Sequence, residues 1–252
     1  MSGLKIETGG VGLSIDVFLY SDMYRDIEVY VKHPTFYNTC FTQRVVRFKG
    51  AKQIKLLLPF TPKNGVFVIA RDYKSKEPVK IVKHKLSHLD TKIRALPKGN
   101  KYLNEFIQHA FNFCLRASFL PTGYYNSKNI RIHYVDKLTQ KNKDGITVDT
   151  NSPARVNSAT KIIEGSKDFF APRTVSGRFA IICHEFAHVY MNNVASSEIE
   201  ADRNAAMIYL GLGFPRADLI NVWADTYKMF DTKQNRNRLN RYMQYVRDFD
   251  GM

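Results

Sequence analysis

Short runs rich in β-branched and aromatic residues fill the first third of the chain, and polar, turn-prone segments separate them. Pro62-Lys63-Asn64-Gly65 is one such turn. Several short runs at this spacing are typical of antiparallel strands in a small sandwich or barrel. The predicted strands cover residues 13–20, 27–32, 43–48, 53–59, 66–71 and 79–83.

The pattern changes at residues 89–100, which we interpret as a linker. Residues 101–120 then follow the period of an amphipathic helix, with Leu103, Phe106 and Phe113 among the apolar positions. The chain is therefore predicted to be α+β, with a β-sandwich-like domain over residues 1–90 and a second domain over 91–252. Further predicted elements are a strand at 130–135, a polar loop at 139–149, an edge strand at 154–164 and helices at 215–230 and 234–249.

Two more helices are predicted between these elements. Residues 175–193 are an apolar run without proline, and Asn192-Asn193 is a predicted helix stop, since Asn tolerates the left-handed conformation found at helix ends. Ser197 and Glu200 form an S-x-x-E capping box that begins the next helix. Because the connection is short, the two helices are expected to be antiparallel.

The first of these helices carries His184-Glu185-Phe186-Ala187-His188, an H-E-x-x-H motif. Residues four apart lie on the same helical face, so both imidazoles can bind one metal ion, and Glu185 at the edge of that face can reach a water molecule. In the antiparallel hairpin, Glu198 comes level with His188 and Asp202 with His184. Glu198 is therefore the predicted third ligand, and Asp202 is predicted to orient an imidazole N–H.

The stretch of residues 176–213 resembles the gluzincin metallopeptidases, in which a Glu is the third ligand and an Asp follows four residues later. The E-x-E-A-D-R-x-A sequence of residues 198–205 is most similar to CAAX-type membrane proteases and ImmA/IrrE-type peptidases. The separation of His188 from Glu198 is shorter than in most of these relatives, and no membrane helices accompany it.

The resemblance implies a zincin-like domain over residues 91–252 and a Zn²⁺ ion bound by His184, His188 and Glu198. It also implies that Glu185 is the catalytic general base for hydrolysis of a protein or peptide substrate. Three protein ligands leave zinc an open position for water, which is typical of catalytic sites.

Several positions have alternative explanations. Glu200 is a rival ligand, but it points about 200° around the helix from Glu198 and is better explained as the capping partner. A metzincin site is excluded because Met191 and Val194 replace the required Gly and His. Cys183 lies about 100° from the ligand face and is predicted to be a small buried hydrophobe. The sequence leaves the second oxyanion donor open among Tyr190, Tyr209, His133 and Arg203.

Charge is concentrated away from the motif. Residues 1–100 contain 18 Lys and Arg against 8 Asp and Glu, whereas residues 176–252 contain 9 of each. A basic N-terminal domain suits an anionic partner such as nucleic acid, an acidic protein or membrane headgroups, although a solubilising surface explains it equally well. A nucleic-acid-binding module would rest on charge alone, because no recognisable motif accompanies it.

The amino-acid sequence also indicates where the protein is located. The 252 residues contain no apolar run approaching the ~18 residues that a membrane span needs, and the N-terminus lacks the apolar core of a signal peptide. Three widely spaced cysteines do not indicate a disulfide framework, so a cytoplasmic location is expected. The alternative hypothesis is a structural component of a large assembly, for example a phage virion or connector, built on a zincin scaffold with or without residual protease activity.

Overall fold

The computed structural model describes residues 3–36, 38–89, 100–229 and 232–249. The chain is of the mixed α+β class and divides into two compact units. Unit 1 comprises Met1–Lys92 and Leu212–Pro215, and unit 2 comprises Ile93–Gly211 and Arg216–Met252. Most of the predicted linker at 89–100 lies outside the described residues.

Unit 1 contains one five-stranded antiparallel sheet in which the second strand is central. This strand pairs along nearly its whole length with the third, while its first part pairs with the fifth strand and its last part with the fourth. The first strand pairs with the fourth. The strands are β1 Leu4–Ile6, β2 Leu13–Lys32, β3 Cys40–Leu58, β4 Val66–Asp72 and β5 Ile81–His88.

The predicted breaks within β2 and β3 are wrong, since strands expected to be separate are continuous. In β2 the polar stretch after Tyr20 stays within the strand, and a register shift between Ser21 and Arg25 accommodates it. Ile15 and Val17 before the shift and Ile27 after it are all fully buried, so both parts of β2 contribute to the core of unit 1. Pairing with β3 is interrupted after Ser21, where the alternation of side chains is lost, and resumes in a shifted register at Arg25.

Unit 2 begins with a helix, continues with a mixed sheet and a separate two-stranded hairpin, and ends with a set of helices. The sheet has the order β10-β11-β7-β6, with β7 and β11 parallel and the other pairs antiparallel. The strands are β6 Gly123–Asn126, β7 Arg131–Val135, β8 Leu138–Lys141, β9 Thr147–Thr150, β10 Ala154–Asn157 and β11 Ile162–Ser166. The helices are α1 Leu103–Arg116, α2 Lys167–Phe170, α3 Val175–Tyr190, α4 Glu198–Gly211, α5 Arg216–Met229 and α6 Lys233–Asp248.

Two sequence predictions in this part of the chain are wrong. The polar loop expected at 139–149 contains the β8–β9 hairpin, and the single edge strand expected at 154–164 is two strands, β10 and β11. Asparagine side chains produce both turns. Asn142 accepts from the backbone N–H groups of Asp144 and Ile146, and Asn157 accepts from those of residues 159 and 160.

The predicted longer helices are confirmed, with ends that differ by a few residues. In α3 every residue from 175 to 187 is buried, which places this helix inside unit 2. Its N-cap Thr174 accepts from the backbone N–H of Gly177 at 3.1 Å. A Cβ on Gly177 would lie 2.8 Å from a methyl group of Val222, so only glycine permits this approach of α5.

Around α3, aromatic side chains fill the core of unit 2. Phe106 of α1 stacks on Phe186 of α3 with ring centroids 3.9 Å apart, and the Phe113 and Tyr134 rings meet edge to face at 5.2 Å. This packing fixes the position of the helix that carries the motif. Across the described ranges, no helix has both the length and the hydrophobicity needed to cross a membrane.

Candidate metal centre

The two motif histidines and the carboxylate of Glu198 converge on one point. His184 and His188 project from α3, and their Nε2 atoms lie 3.1 Å apart. Glu198, the first residue of α4, places Oε2 at 3.4 Å from Nε2 of His184 and Oε1 at 3.6 Å from Nε2 of His188. These three residues form a group whose ligand atoms could hold a metal ion.

The separations between the ligand atoms fit tetrahedral zinc. Zinc bonds to imidazole nitrogen and carboxylate oxygen are about 2.0–2.2 Å long, which makes the edges of a tetrahedron about 3.3–3.6 Å. The two Nε2 atoms lie 3.1 Å apart, and each Nε2 has one Glu198 oxygen at 3.4 or 3.6 Å, so all three residues approach at distances close to that range. The donor set therefore suits one zinc ion with a fourth position left over.

The other ring nitrogen of each histidine faces an acceptor. Nδ1 of His188 lies 2.8 Å from the backbone oxygen of Ala195, so the Nδ1–H donor leaves the Nε2 lone pair for a metal. Nδ1 of His184 lies 3.2 Å from Oδ1 of Asp202, within ion-pair distance but without the alignment of a hydrogen bond. Asp202 thus lies where the sequence predicts a carboxylate that orients the imidazole.

Two residues that the sequence did not single out hold Asp202 in place. Arg238 of α6 donates to both of its carboxylate oxygens through Nε and Nη2 at 3.0–3.1 Å. The hydroxyl of Tyr227 in α5 donates to Oδ2 at 3.1 Å. Arg238 Nη2 also lies 2.8 Å from Oε2 of Glu198, so one guanidinium contacts both carboxylates.

Trp223 of α5 packs against the buried side of the cluster. Its ring meets that of His184 edge to face at 4.9 Å, and its indole N–H donates to the hydroxyl of Tyr242 at 2.8 Å. The hydrogen bond to Tyr242 therefore holds the Trp223 ring in place against His184. The imidazole of His184 is confined between Trp223 and Asp202.

The pKa of each residue in the cluster depends on the charges of its neighbours. Burial disfavours the charged form of His184, but interaction with the nearby carboxylates of Asp202 and Glu198 and the charge of Glu185 outweigh it and raise the pKa of His184 to about 10. Interaction with His184 and His188 in turn holds the pKa of Glu198 well below its usual range. Ion binding must displace protons from these imidazoles, because a ligating nitrogen carries none.

Glu185 is buried beside the cluster rather than within it. Burial raises the pKa of its carboxyl group, while the positive charges of His184 and His188 oppose that change. Interaction with the backbone of Val156 in β10 also favours the charged form. The carboxylate is thus a stronger base than a solvated glutamate, and it lies next to the ligand atoms without being one of them.

The connection between α3 and α4 differs in part from its prediction. The helix ends at Tyr190, before the asparagines, and neither Asn192 nor Asn193 adopts the predicted left-handed conformation. Instead, the Asn192 side chain donates to Ser197 O at 2.9 Å and accepts from Asn204 at 3.0 Å. These bonds join the connection to α4.

The capping prediction holds for one of its two bonds. Ser197 Oγ accepts from the backbone N–H of Glu200 at 3.3 Å, as expected. The Glu200 carboxylate, however, accepts from the backbone N–H of Val194 rather than from that of Ser197. Glu200 therefore lies outside the group of candidate metal ligands.

A cavity of about 690 Å³ opens in front of the cluster. Its walls come from β10, α3, the start of α4, α5 and α6, and Glu185, Tyr227 and Arg238 are among the lining residues. Within the described residues, the four predicted oxyanion candidates lie outside this lining. Tyr190 donates to Asn129 O, Tyr209 is fully buried, His133 lies beside Glu164 and Arg203 lies over the Tyr245 ring.

The three cysteines, Cys40, Cys114 and Cys183, carry free thiols, and Cys183 is fully buried as predicted. Burial raises the pKa of its thiol well above the ordinary value, which makes it unsuited to act as a ligand or nucleophile. No protein-family model, curated protein or solved structure matches this chain, so the functional argument rests on the geometry of the cluster.

Proposed function

We propose that this protein is a gluzincin-like zinc metallopeptidase that hydrolyses peptide bonds. The observation that carries the proposal is the convergence of two imidazole Nε2 atoms and one carboxylate at 3.1–3.6 Å from each other. His184, His188 and Glu198 would hold the ion, and Asp202 would orient His184. A zinc ion bound there would polarise a carbonyl group and lower the pKa of water.

Glu185 would act as the general base. Its carboxylate would accept a proton from the attacking water and donate it to the leaving amine. Its burial raises its proton affinity, which strengthens the carboxylate as the acceptor in the first of these transfers. Tyr227 and Arg238 line the same cavity and have polar hydrogens, but both are hydrogen-bonded to Asp202. Their proposed role is to position the cluster.

The elements around the cavity are compatible with the proposed zincin-like arrangement. β10 is the last strand of its sheet, so one of its edges has no partner strand in the described residues. It contributes Ala154, Arg155 and Val156 to the cavity wall. An extended peptide would pair with this edge through backbone hydrogen bonds. The basic unit 1, proposed to be sandwich-like, would contact an anionic partner.

Metal analysis and one substitution test the proposal. Purified protein is expected to bind about one zinc per chain, and His184→Ala is expected to lose it. Glu185→Gln should retain zinc but lose cleavage of a proteome-derived peptide library by about 100-fold or more. Mass spectrometry of the library measures cleavage, and elemental analysis measures zinc.

The outcomes separate three cases. Absence of zinc at neutral pH would eliminate the metallopeptidase. Full cleavage by Glu185→Gln would show that Glu185 is not the base. Stoichiometric zinc without hydrolysis of any library peptide would assign the cluster a structural role.

A further inference from the structure

A second cleft adjoins the metal cavity and has a different character. It occupies about 580 Å³ between α6 and the residues that begin α4. Ser196, Glu198 and Arg238 line both spaces, so the cleft is continuous with the cluster. Lys233 and Arg241 of α6 line only the second cleft.

The cleft has an excess of positive charge. Lys233, Arg238 and Arg241 line it, and Glu198 is its only lining carboxylate in the described part of the chain. Arg238 already forms ion pairs with Glu198 and Asp202. Neither Lys233 nor Arg241 has an ion pair with a described residue, and both side chains are exposed.

The two free cations lie on one side of α6. Residues 233 and 241 are eight positions apart, about 2.2 turns, so their side chains project roughly 80° apart around the helix and both line the cleft. Ile199, which is 51% exposed, lies across the cleft from them and supplies an apolar wall. A carboxylate on a short methylene chain satisfies both features, because the cations bind the charge and Ile199 contacts the methylenes.

We propose that this cleft binds an acidic side chain of the peptide substrate, with Lys233 and Arg241 as the anion-binding residues. The inference rests on the proposed function, because it makes the cleft a subsite of the same peptide. It predicts a preference for peptides with Glu or Asp near the bond that lies over the metal cluster. Neutral peptides would lack this interaction.

Equilibrium binding tests the proposal without requiring turnover. The zinc-loaded Glu185→Gln variant is titrated against two fluorescein-labelled decapeptides of Ala and Ser that differ only in two adjacent Glu or Gln residues. Fluorescence anisotropy should show about 2- to 30-fold tighter binding of the Glu peptide at low salt, as expected for two exposed ion pairs. The preference should diminish in 0.5 M NaCl.

A double substitution tests whether Lys233 and Arg241 cause the preference for the Glu peptide. Adding Lys233→Gln and Arg241→Gln should make the two peptides bind equally, with circular dichroism and zinc content unchanged. The matched control is Lys128→Gln with Lys143→Gln, which removes the same charge from exposed positions elsewhere in unit 2. This control should retain the preference.

The results distinguish this inference from the proposed function. Equal binding of both peptides by the starting variant, or a preference that survives the Lys233→Gln and Arg241→Gln substitutions, would overturn the acidic subsite. If the wild-type protein cleaves no peptide yet the preference depends on these two residues, the cleft assignment stands and the peptidase proposal fails.

Discussion

Nη2 of Arg238 lies 2.8 Å from Oε2 of Glu198, so a residue of α6 determines where the proposed third zinc ligand points. The same guanidinium makes a forked contact with Asp202, which faces His184. Two carboxylates that approach the cluster from α4 therefore share one positive charge. The geometry of the cluster depends on α6 as well as on the α3–α4 hairpin.

Substitution of Arg238 should weaken zinc binding without removing a ligand. Arg238→Gln leaves the Glu198 and Asp202 carboxylates without their shared cation, and outer-shell substitutions of this kind typically cost about 10- to 100-fold in metal affinity. Competition with a chromogenic chelator measures the change. Arg241→Gln, on the same helix but without contact to these carboxylates, is the control. Equal zinc affinity in both variants would contradict the assigned role.

Asp202→Asn should have a comparable effect for a different reason. The amide has no charge to face Nδ1 of His184, and it provides a poorer partner for Arg238. We expect zinc affinity to fall by about 10- to 100-fold. Isothermal titration calorimetry is the measurement, with Asp225→Asn, an exposed aspartate of α5, as the control. An unchanged dissociation constant would show that the 3.2 Å contact does not orient the imidazole.

Arg178→Met should destabilise unit 2. Arg178 is 1% exposed, and its guanidinium donates to the backbone oxygens of Cys114 and Phe170 at 2.7 and 3.3 Å. It also contacts Ala171 O and Ser118 Oγ. Methionine would remove all of these buried, charge-assisted hydrogen bonds, at a cost of about 2–4 kcal/mol in the free energy of unfolding.

Urea denaturation measures this loss. Arg116→Met, an exposed arginine at the end of α1, should change the free energy of unfolding by less than about 0.5 kcal/mol. If both variants unfold at the same urea concentration, the buried hydrogen bonds of Arg178 contribute nothing measurable.

Glu105 should make stability depend on acid pH. Hydrogen bonds from the side chains of Asn129 and Ser127 and from the Asn129 backbone lower the pKa of Glu105 to about 2. Because its pKa is depressed in the folded state, its stabilising effect is complete above pH 4.5 and is lost as the pH falls towards 2. Glu105→Gln should therefore lose less stability than the wild type between pH 6 and pH 3.

Urea unfolding at the two pH values measures that difference. The Asp225→Asn variant serves again as the control and should show the acid dependence of the wild type. An identical dependence in Glu105→Gln would show that its hydrogen bonds do not lower its pKa.

The periodicity of hydrophobic residues predicted most of the helices and strands, but it did not predict which strand segments are continuous. Hydrophobic alternation located both halves of β2, yet it stops at residues 21–26, where three consecutive side chains, 22–24, are exposed. Pairing with β3 resumes at Arg25, because backbone hydrogen bonds do not depend on side-chain type. The β8–β9 hairpin was missed for a related reason, since its strands are mostly exposed and have little apolar pattern.

The candidate site was predictable where its residues are close in sequence. His184, His188, Glu198 and Asp202 lie on two consecutive helices, so helical periodicity and the short antiparallel connection together predict that they meet. Arg238 was missed because an arginine on an amphipathic helix is expected on its solvent face. Its contact with Asp202 depends on how α6 packs, which local sequence does not encode.

The connection between α3 and α4 has a consequence for changes in chain length. Surface connections usually accept inserted residues, because nothing depends on their length. Here the backbone oxygen of Ala195 fixes the His188 ring, and Glu198 follows only three residues later. One added or deleted residue would displace both at once. Insertions are therefore expected to be tolerated at the tip of the β8–β9 hairpin and not between residues 191 and 197.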